Sequence, residues 1–498
     1  MKGGTKYYYN IIDSQMRPNN DFTPFFGYEN RSKSSNFIQF SATGTSGSAA
    51  LVAIVIAHFC AASPWIPPLL PVVSWLYPFS IMTTAPIYIA TVSAPTNIAV
   101  IKYWGKASLE HNTPINSSLS VTLDQADLRA VTTVAASPGF TEDRLWLNGT
   151  LDEKAATSKR FRACVDGCKA LATTYTKDGT EVTAADWQNW KVHVSSYNTF
   201  PTAAGLASSA AGYAALVAAL AELYQCQETF PGELSTLARQ GSGSACRSLY
   251  GNAVAWRMGS AANDWKDSKA EPVANGAPWP ELRALILVVN DQKKDTSSTT
   301  GMVTSVATSP LLAHRAAAVV PQRMMDMEKA WAAQDFGAFA RLTMQDSNQF
   351  HATCLDTYPP IFYLTDTSRD IIRILTKYNA YYTEKGGVER AAYTFDAGPN
   401  AVIYTTAAHL DELRALMLHY FPPAADQALA DYMNQVGEDN VTIDPALLGA
   451  CGKAVPQPGA VKYIYQTKAG PGPQVLDASE STIDPQTGLN TYEPAKSK

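Results

Sequence analysis

A segment of small residues between Phe200 and Leu220 has the composition of a phosphate-binding loop followed by a helix. Gly205 and its neighbouring alanines lack bulk, so a ligand can approach the backbone closely. Ser208 and Ser209 stand where the helix is predicted to begin, beside N–H groups that have no intrahelical partner. Such a helix start attracts phosphate through these groups and the helix dipole. An alanine-rich core helix with a serine cap is the simpler interpretation when the segment is taken alone.

Two further positions carry groups suited to anion binding or proton transfer. Arg247 lies in the glycine- and serine-rich run 241–248, and its planar guanidinium can bind a carboxylate or a phosphate. Asp396 precedes a Gly-Pro turn at the end of a predicted strand, a position that suits a general base. A structural ion pair for Arg247 and a turn-forming role for Asp396 are the open alternatives.

Lysines follow two of the predicted strands. Lys102 and Lys106 belong to the run Lys-Tyr-Trp-Gly-Lys, and Lys293 with Lys294 follows a continuous apolar run. They can gather phosphates, although a lysine at a strand edge is more often a solvated charge. On the predicted helix 335–354, His351 and Cys354 are assigned to core or capping roles rather than to chemistry. The seven cysteines and seven histidines show no zinc-binding spacing, so free thiols in a reducing compartment are expected.

Bulk composition limits the partners. The 498 residues carry a formal net charge of −5, which gives no support to nucleic acid binding. Residues 1–81 include the apolar stretch Ala49–Ala62, which is short for a bilayer-spanning helix of roughly 20 residues. We interpret 1–81 as a disordered or artefactual apolar extension, with a membrane tether as the weaker alternative. A start at Met82 would lead directly into the first strand.

The elements that must position these side chains follow from the hydrophobic pattern. Short β-branched runs predict strands near 87–92, 98–103, 119–123, 129–134 and 191–194, and Asn148-Gly149 predicts a hairpin turn. The continuous run 285–290 predicts a buried strand, and long helices are expected at 308–332, 335–354 and 366–380. A domain boundary is therefore placed near 281–290, and the residues from about 469 onward are expected to be mostly loose.

Six segments occur together in order: 94–106, 116–123, 200–211, 241–248, 346–356 and 393–402. In this combination, which includes KYWGK, SGSACRS and FDAGPN, the chain resembles the mevalonate diphosphate decarboxylases of the GHMP small-molecule kinase superfamily over roughly residues 86–475. Galactokinase, homoserine kinase and mevalonate kinase share the small-residue loop but not these three motifs together.

The resemblance implies an α+β fold of two domains, with a ribosomal protein S5 domain 2-like N-terminal domain, a ferredoxin-like C-terminal domain and the active site in the cleft between them. The implied divisions are an ATP-binding domain over 82–284, a C-terminal domain over 285–475 and a loose tail over 476–498. The implied reaction is the ATP-dependent decarboxylation of 5-diphosphomevalonate to isopentenyl diphosphate, the last step of the mevalonate pathway. A cytoplasmic homodimer that uses ATP and Mg²⁺, with no nucleic acid or membrane partner for the core enzyme, is expected.

The resemblance also assigns residues by motif match. Catalytic roles fall on Asp396, Arg247, Lys102 and Ser209; ATP contacts fall on Ala204, Gly205, Leu206, Ala207, Ser208 and Ser209; and substrate contacts fall on Tyr103, Lys106, Ser242, Gly243 and Arg247. No metal ligand is assigned beyond a candidate contact of Ser209 with ATP-bound Mg²⁺. One departure is visible, because Ala107-Ser108 stands where many relatives have Arg-Asp. The alternatives are a GHMP-family kinase such as a phosphomevalonate kinase, and a non-catalytic ligand-binding homologue.

Overall fold

A computed structural model describes residues 85–494, except 178–179, 201–207, 291–294, 436–440 and 453–454. The chain divides into two units, Met1–Ile81 and Met82–Lys498, and the described residues all belong to the second. The interpretation of residues 1–81 as a disordered or artefactual extension therefore lies outside the described residues. Among the residues that are described, no helix is long and apolar enough to cross a membrane.

The described residues form an α+β structure. Its strands are β1 (Tyr88–Pro95), β2 (Asn97–Ile101), β3 (Lys106–Ser108), β4 (Thr113–Pro114), β5 (Ser118–Thr122), β6 (Arg129–Ser137), β7 (Arg144–Leu147), β8 (Thr150–Leu151), β9 (Tyr175–Lys177), β10 (Thr180–Val182), β11 (Lys191–Asn198), β12 (Ala253–Trp256), β13 (Ala270–Pro272), β14 (Leu282–Val288), β15 (Ala392–Phe395), β16 (Ala401–Thr406), β17 (Tyr463–Lys468) and β18 (Gln474–Val475). Its helices are α1 (Glu153–Ala156), α2 (Lys159–Ala170), α3 (Ala184–Asn189), α4 (Ser208–Tyr224), α5 (Glu233–Gly241), α6 (Ser298–Thr308), α7 (Pro310–His314), α8 (Val320–Ala333), α9 (Phe336–Asp356), α10 (Asp366–Thr383), α11 (Leu410–Tyr420), α12 (Leu429–Tyr432) and α13 (Pro445–Cys451).

A six-stranded sheet in the order β18-β1-β6-β11-β7-β8 forms the first layer. Helix α4 begins at Ser208, as predicted, and packs against β1 and β6 through small buried residues such as Ala211 and Ala215. Small side chains let the helix approach the sheet closely, so packing against β1 and β6 positions α4. The predicted Asn148-Gly149 turn joins β7 to β8, and both residues have the positive φ that such a turn needs.

A second sheet has the strand order β13-β12-β5-β2. Strand β2 lies at its edge, and the β2–β5 ladder ends at the pair of Ile101 with Leu119. Buried residues of β2, β5 and β12, such as Ile98, Leu119 and Ala255, share one core with β14, α8 and α9. The residue that follows β2 is therefore carried directly to the C-terminal half of the molecule.

The C-terminal sheet is antiparallel in the order β15-β16-β14-β17. Ala284, Ile286 and Val288 of β14 face the core shared with α8 and α9, whereas Leu285 and Leu287 face the core built with α10 and α11. Successive side chains of a strand point to opposite faces, so burial on both faces explains the continuous apolar run of β14. Strands β15 and β16 enclose the turn that carries Asp396.

Two sequence expectations differ from the structure. The single helix expected at 308–332 is divided into the end of α6, α7, a π-helical turn at Arg315–Val319 and α8, with Pro310 at the start of α7. Residues 476–494 are not loose. Thr482 donates hydrogen bonds to Oγ1 of Thr133 on the first sheet, and Tyr492 stacks on Tyr197 at 4.1 Å. The polar outer face of that sheet supplies the hydrogen-bond partners that hold this segment.

Candidate active site

A cavity of about 310 Å³ receives side chains from both halves of the unit. Its walls include every described residue that the sequence assigned to the site. These are Lys102, Tyr103, Lys106, Ser208, Ser209, Ser242, Gly243, Arg247 and Asp396. Predicted positions Ala204, Gly205, Leu206 and Ala207 lie outside the described residues, as do Lys293 and Lys294.

Lys102 and Asp396 form an ion pair at one end of the cavity. Lys102 Nζ lies 2.6 Å from Asp396 Oδ1, although the two residues come from the end of β2 and the turn after β15. The lysine side chain is 3% exposed and the aspartate side chain 35%, so the carboxylate is the member that a ligand can reach. Burial is the largest influence on Lys102 and lowers its pKa, while Asp396 and Asp346 raise it and Arg247 lowers it further.

Arg247 lies deep in the same cavity on the 3₁₀ segment Gly243–Leu249. Its Nε donates to Ser120 Oγ at 2.9 Å and to Asn97 Oδ1 at 3.2 Å, and its Nη1 donates to Ser118 Oγ at 2.6 Å. These partners are neutral, and no carboxylate of the described residues lies within ion-pair distance of the guanidinium. Burial accordingly lowers the pKa of Arg247.

Burial of a cation without a counter-ion costs free energy unless a bound anion neutralises its charge. Among the described residues, Nη2 of Arg247 has no hydrogen-bond partner, whereas Nε and Nη1 are both engaged. The structural ion pair considered from the sequence is therefore not what the fold contains. The arrangement is that of an anion-binding site whose guanidinium is fixed in place before the ligand arrives.

The rim of the cavity that carries Lys106 and Arg160 is also positive. Lys106 is half-buried, and burial followed by the charge of Arg160 lowers its pKa. Arg160, at the start of α2, was missed by the sequence analysis because no motif surrounds it. Ser209 Oγ lies 3.2 Å from Ser242 Oγ, which joins the start of α4 to the segment that carries Arg247. Two cations and two hydroxyls are thus available to a polyanionic group.

Tyr103 is packed between these groups. Its ring lies 4.6 Å from that of Trp256, and a Cβ added at Gly243 would lie 2.9 Å from Tyr103 Cε1, so only glycine fits at that position. The buried hydroxyl of Tyr103 has no hydrogen-bond partner among the described residues. Burial raises the pKa of this phenol, which therefore stays neutral and can donate a hydrogen bond.

His351 is buried, as expected from the sequence, yet it lies beside the Lys102–Asp396 pair. Its Nε2 is 3.4 Å from the carbonyl oxygen of Phe395, the residue before Asp396. Burial, reinforced by the charge of Lys102, lowers the pKa of His351 to about 3. The imidazole is therefore neutral near pH 7 and supports the turn rather than supplying a proton.

A second cavity of about 270 Å³ shares Ser208 and Ser209 with the first. Its other walls are mainly apolar and include Leu145, Phe161 and Leu216. A mostly apolar pocket beside a helix start suits a flat aromatic group that is joined to a phosphate chain.

The oxygen donors present fit Mg²⁺ held mainly by a nucleotide. Within the described ranges, no group of three or more His, Cys, Asp or Glu side chains is placed to hold a metal. Mg²⁺ in phosphoryl-transfer sites is bound by one or two protein oxygens, several waters and the phosphates of the substrate. The hydroxyl of Ser209 and the exposed carboxylate of Asp396 are donors of that kind in the main cavity.

One cleft of a two-domain α+β fold contains a phosphate-attracting helix start, a lysine–carboxylate pair and an arginine that has no counter-ion among the residues the structure describes. This combination defines a small-molecule phosphotransferase of the GHMP type. Models of the Diphosphomevalonate decarboxylase-like N-terminal domain and of the Mevalonate 5-diphosphate decarboxylase C-terminal domain match residues 94–270 and 284–476. The chain belongs to the diphosphomevalonate decarboxylase family.

Individual relatives agree with this assignment. The diphosphomevalonate decarboxylase of Ganoderma lucidum is 50% identical over 402 residues, which are 80% of this chain and 98% of that protein. The Rattus norvegicus enzyme is 52% identical over 393 residues, 78% of this chain and 93% of that protein. A crystal structure of mevalonate 5-diphosphate decarboxylase is 43% identical, with a TM-score of 0.67, and covers 81% of this chain and 100% of its own. The Trypanosoma brucei structure reaches the same TM-score of 0.67 at 33% identity, over 80% of this chain and 100% of its own.

Proposed function

We propose that this protein catalyses the ATP-dependent decarboxylation of (R)-5-diphosphomevalonate to isopentenyl diphosphate, ADP, phosphate and carbon dioxide. The observation that carries the proposal is the buried Arg247, which has no counter-ion in the described part of the chain and lies in the same cavity as the Lys102–Asp396 pair. The substrate offers a carboxylate, a tertiary hydroxyl and a diphosphate. Arg247, Asp396 and the positive rim match these three groups in turn.

Asp396 is assigned to the tertiary hydroxyl. A carboxylate is a much weaker base than an alkoxide, so the proton moves to Asp396 only as the bond between the hydroxyl oxygen and the γ-phosphorus of ATP forms. Lys102, held 2.6 Å from Asp396, orients this carboxylate and places positive charge beside the transferred group. Orientation of the hydroxyl is the main contribution expected from the pair.

ATP is assigned to the side of the cavity formed by the start of α4. Ser208 and Ser209 would contact its phosphates, together with the predicted loop residues Ala204, Gly205, Leu206 and Ala207. The neighbouring apolar cavity suits the adenine base. Mg²⁺ would neutralise charge on the phosphates, and Ser209 is the candidate protein contact. One structural relative is described as a complex with MVAPP, AMPPCP and magnesium, at 29% identity and a TM-score of 0.58, covering 79% of this chain and 100% of its own.

Decarboxylation follows from the product of phosphoryl transfer. The bond between the tertiary carbon and its oxygen breaks, and phosphate leaves with the electron pair. The bond between the carboxylate carbon and the adjacent methylene then breaks, its electron pair forms the new double bond, and carbon dioxide is released. Arg247 holds the carboxylate throughout, and a charge-assisted hydrogen bond of this kind contributes about 1.5–3 kcal/mol.

The diphosphate is assigned to the positive rim that carries Lys106 and Arg160. Tyr103, Lys106, Ser242 and Gly243 are the proposed contacts, and Arg160, which lines the same cavity, is proposed as a further one. Burial and then the charge of exposed Arg160 lower the pKa of half-buried Lys106, and a diphosphate between the two cations would relieve their repulsion.

A homodimer that acts in the cytoplasm completes the proposal. Its support is the resemblance for the dimer and, for the compartment, the state of the cysteines. Cys164, Cys168, Cys226, Cys246, Cys354 and Cys451 are all free thiols, as is usual in a reducing compartment. Light scattering on purified protein would give a mass near that of one chain if the dimer is wrong.

One assay tests the reaction. The full chain is mixed with ATP, Mg²⁺ and 5-diphosphomevalonate, and ADP and carbon dioxide are measured together. Equal amounts of both are expected. ADP alone would instead identify a kinase, and neither product would identify a binding protein. A parallel reaction with 5-phosphomevalonate serves as the matched control, because a phosphomevalonate kinase would convert it to the diphosphate.

A further inference from the structure

The peptide groups of Lys102 are bound by side chains rather than by a neighbouring strand. Beyond Ile101 the β2–β5 ladder has ended. The N–H of Lys102 donates to Asp346 Oδ1 at 2.7 Å, and its carbonyl oxygen accepts from Arg315 Nη2 at 3.1 Å. The Asn116 side chain donates to the same carbonyl, also at 3.1 Å. Lys102 and Asp346 are 244 positions apart in the chain.

Arg315 and Asp346 are themselves a fully buried, two-point ion pair. Arg315 Nη1 lies 2.8 Å from Asp346 Oδ2, and Nη2 lies 2.7 Å from Oδ1. Both side chains are 0% exposed. Burial is the largest influence on Asp346 and raises its pKa, but the charge and hydrogen bonds of Arg315 outweigh burial and hold the pKa below its usual value. The carboxylate therefore remains charged near pH 7.

A second arginine reaches the pair without touching the lysine. Arg323 Nη1 donates to Asp346 Oδ2 at 3.0 Å and to Gln349 Oε1 at 2.9 Å, and its side chain is 16% exposed. Arg315 binds Asp346 at two points, and it alone of the two arginines also binds the Lys102 carbonyl. Comparison of variants at the two arginines therefore distinguishes a weakened contact with Asp346 from a lost contact with the Lys102 carbonyl.

The side chain of Lys102 leaves this fixed peptide and meets Asp396 in the cavity. Charged groups facing Lys102 are Asp396 on the turn after β15, Asp346 on α9 and Arg247 on the 3₁₀ segment. A buried ion pair is weak evidence for stability, because desolvation of both charges offsets their attraction. Its rigid two-point geometry, however, suits the placement of another group.

We propose that Arg315 and Asp346 are positioning residues, which hold the Lys102 peptide so that the lysine ammonium meets Asp396 and the transferred phosphoryl group in the reactive arrangement. The inference rests on the role proposed above for Lys102. Neither residue lines the cavity, so neither is expected to bind substrate. Loss of the contact should therefore lower turnover far more than it weakens binding.

The test compares Arg315→Lys with Arg323→Lys in the full chain. Both variants keep a positive charge near Asp346, but a lysine at 315 has one nitrogen and loses either the carbonyl contact or the two-point pair. We expect Arg315→Lys to lower kcat on the order of 10- to 100-fold, as misplacement of a reacting group by about 1 Å can do. The KM values for both substrates and the dissociation constant for AMPPCP should stay within about threefold of the wild-type values. Arg323→Lys should keep kcat within about threefold.

Asp346→Glu provides a second route if Arg315→Lys does not fold. It preserves both arginine charges but displaces the acceptor of the Lys102 N–H, and the same selective loss of kcat is expected. An unchanged kcat in these variants, or losses of kcat and binding in equal proportion, would overturn the proposal. An equal loss in Arg323→Lys at the same melting temperature would overturn it as well.

Lys102→Met separates this inference from the role of Lys102 itself. If Lys102→Met turns over normally, the role of the lysine is wrong and the positioning proposal falls with it. If Lys102→Met is inactive while Arg315→Lys and Asp346→Glu are normal, only the positioning proposal is wrong.

Discussion

Replacement of Arg247 by lysine tests whether this residue holds the substrate carboxylate. The guanidinium is fixed by Ser118, Ser120 and Asn97 through Nε and Nη1, which leaves Nη2 for an anion. Lysine keeps the charge but has a single nitrogen, so it cannot retain the three internal contacts and bind the carboxylate as well. The variant should therefore lose substrate affinity while the ATP side of the cavity is unaffected.

The magnitude follows from the one contact that is lost. A hydrogen bond to a charged group contributes about 1.5–3 kcal/mol. At about 1.4 kcal/mol for each factor of ten, this predicts roughly 10- to 150-fold weaker binding of 5-diphosphomevalonate. Isothermal titration calorimetry with the substrate, and separately with AMPPCP, measures both affinities. The value of kcat/KM for the substrate should fall by at least as much as the affinity.

Arg239→Lys is the matched control. Arg239 is also buried, at 3% exposure, but its guanidinium donates to the backbone carbonyls of His111, Trp265 and Ser268 and does not line the cavity. This control should lower the melting temperature and leave substrate affinity unchanged. Substrate affinity within about twofold of wild type in Arg247→Lys, or an equal loss in Arg239→Lys, would refute the assigned role.

Three further outcomes are expected. Burial lowers the pKa of His351 to about 3, so the unfolded chain binds a proton that the folded chain excludes as pH falls below the ordinary value of about 6.5. Acidification therefore lowers the free energy of unfolding. Between pH 7.5 and about pH 4.5, wild type should lose roughly 3 kcal/mol more of this free energy than His351→Gln. Denaturant titrations at the two pH values measure both losses, and equal losses would contradict the prediction. Gly243→Ala would place a Cβ 2.9 Å from Tyr103 and should weaken substrate binding in calorimetry. Its control is Gly449→Ala, which lies on a helix with open space around it and should stabilise the fold by about 0.5–1 kcal/mol. Unimpaired substrate binding by Gly243→Ala would count against the Tyr103 contact. Burial lowers the pKa of Lys102, so kcat should decline at a pH below the ordinary lysine value as the ammonium loses its proton, and a profile that stays flat to that value would be inconsistent with a catalytic ammonium.

Features that depend on residues close together in the sequence were predictable without the structure. The start of α4 at Ser208, the Asn148-Gly149 turn and the buried strand β14 each follow from local composition, and the structure contains them. Family motifs also predicted which residues share the cavity. Short-range patterns determine local conformation, so these assignments did not require knowledge of the tertiary fold.

Other members of the site have no local signal. Arg160 lies on a helix of mixed charge, and only the packing of α2 beside the cavity distinguishes it from its neighbours. The pair of Arg315 and Asp346 depends on the meeting of two helical segments, one of them a π-helical turn. Their connection to Lys102 spans more than half of the described chain, so it is a property of the tertiary fold alone.

The polar segment 476–494 was mispredicted, and helix α6 was not predicted, for a related reason. Helix α6 is rich in serine and threonine and has no long apolar stripe, so its sequence carries no clear helical signal. The C-terminal segment is likewise polar, but Ser195 and His193 on the first sheet provide hydrogen-bond partners for it. Side chains that suit water also suit the polar face of a sheet, and composition does not separate the two outcomes.

The ion pair between Asp396 and Lys102 affects the interpretation of the Asp396→Asn variant. Asp396→Asn removes the proton acceptor and also the charge that stabilises a buried ammonium 2.6 Å away. Asparagine retains a side-chain oxygen that can accept the lysine hydrogen bond, so the fold and the binding of AMPPCP should persist. Loss of activity combined with intact AMPPCP binding is therefore attributable to the chemistry of the pair.

The rate of carbon dioxide release by Asp396→Asn, measured in single turnover with ATP, Mg²⁺ and 5-diphosphomevalonate, is the most direct test that Asp396 accepts the proton of the tertiary hydroxyl during phosphoryl transfer. A fall of roughly 10²- to 10⁴-fold relative to wild type, the range typical of a lost proton acceptor, is predicted while AMPPCP affinity is retained. Release at close to the wild-type rate would contradict the account.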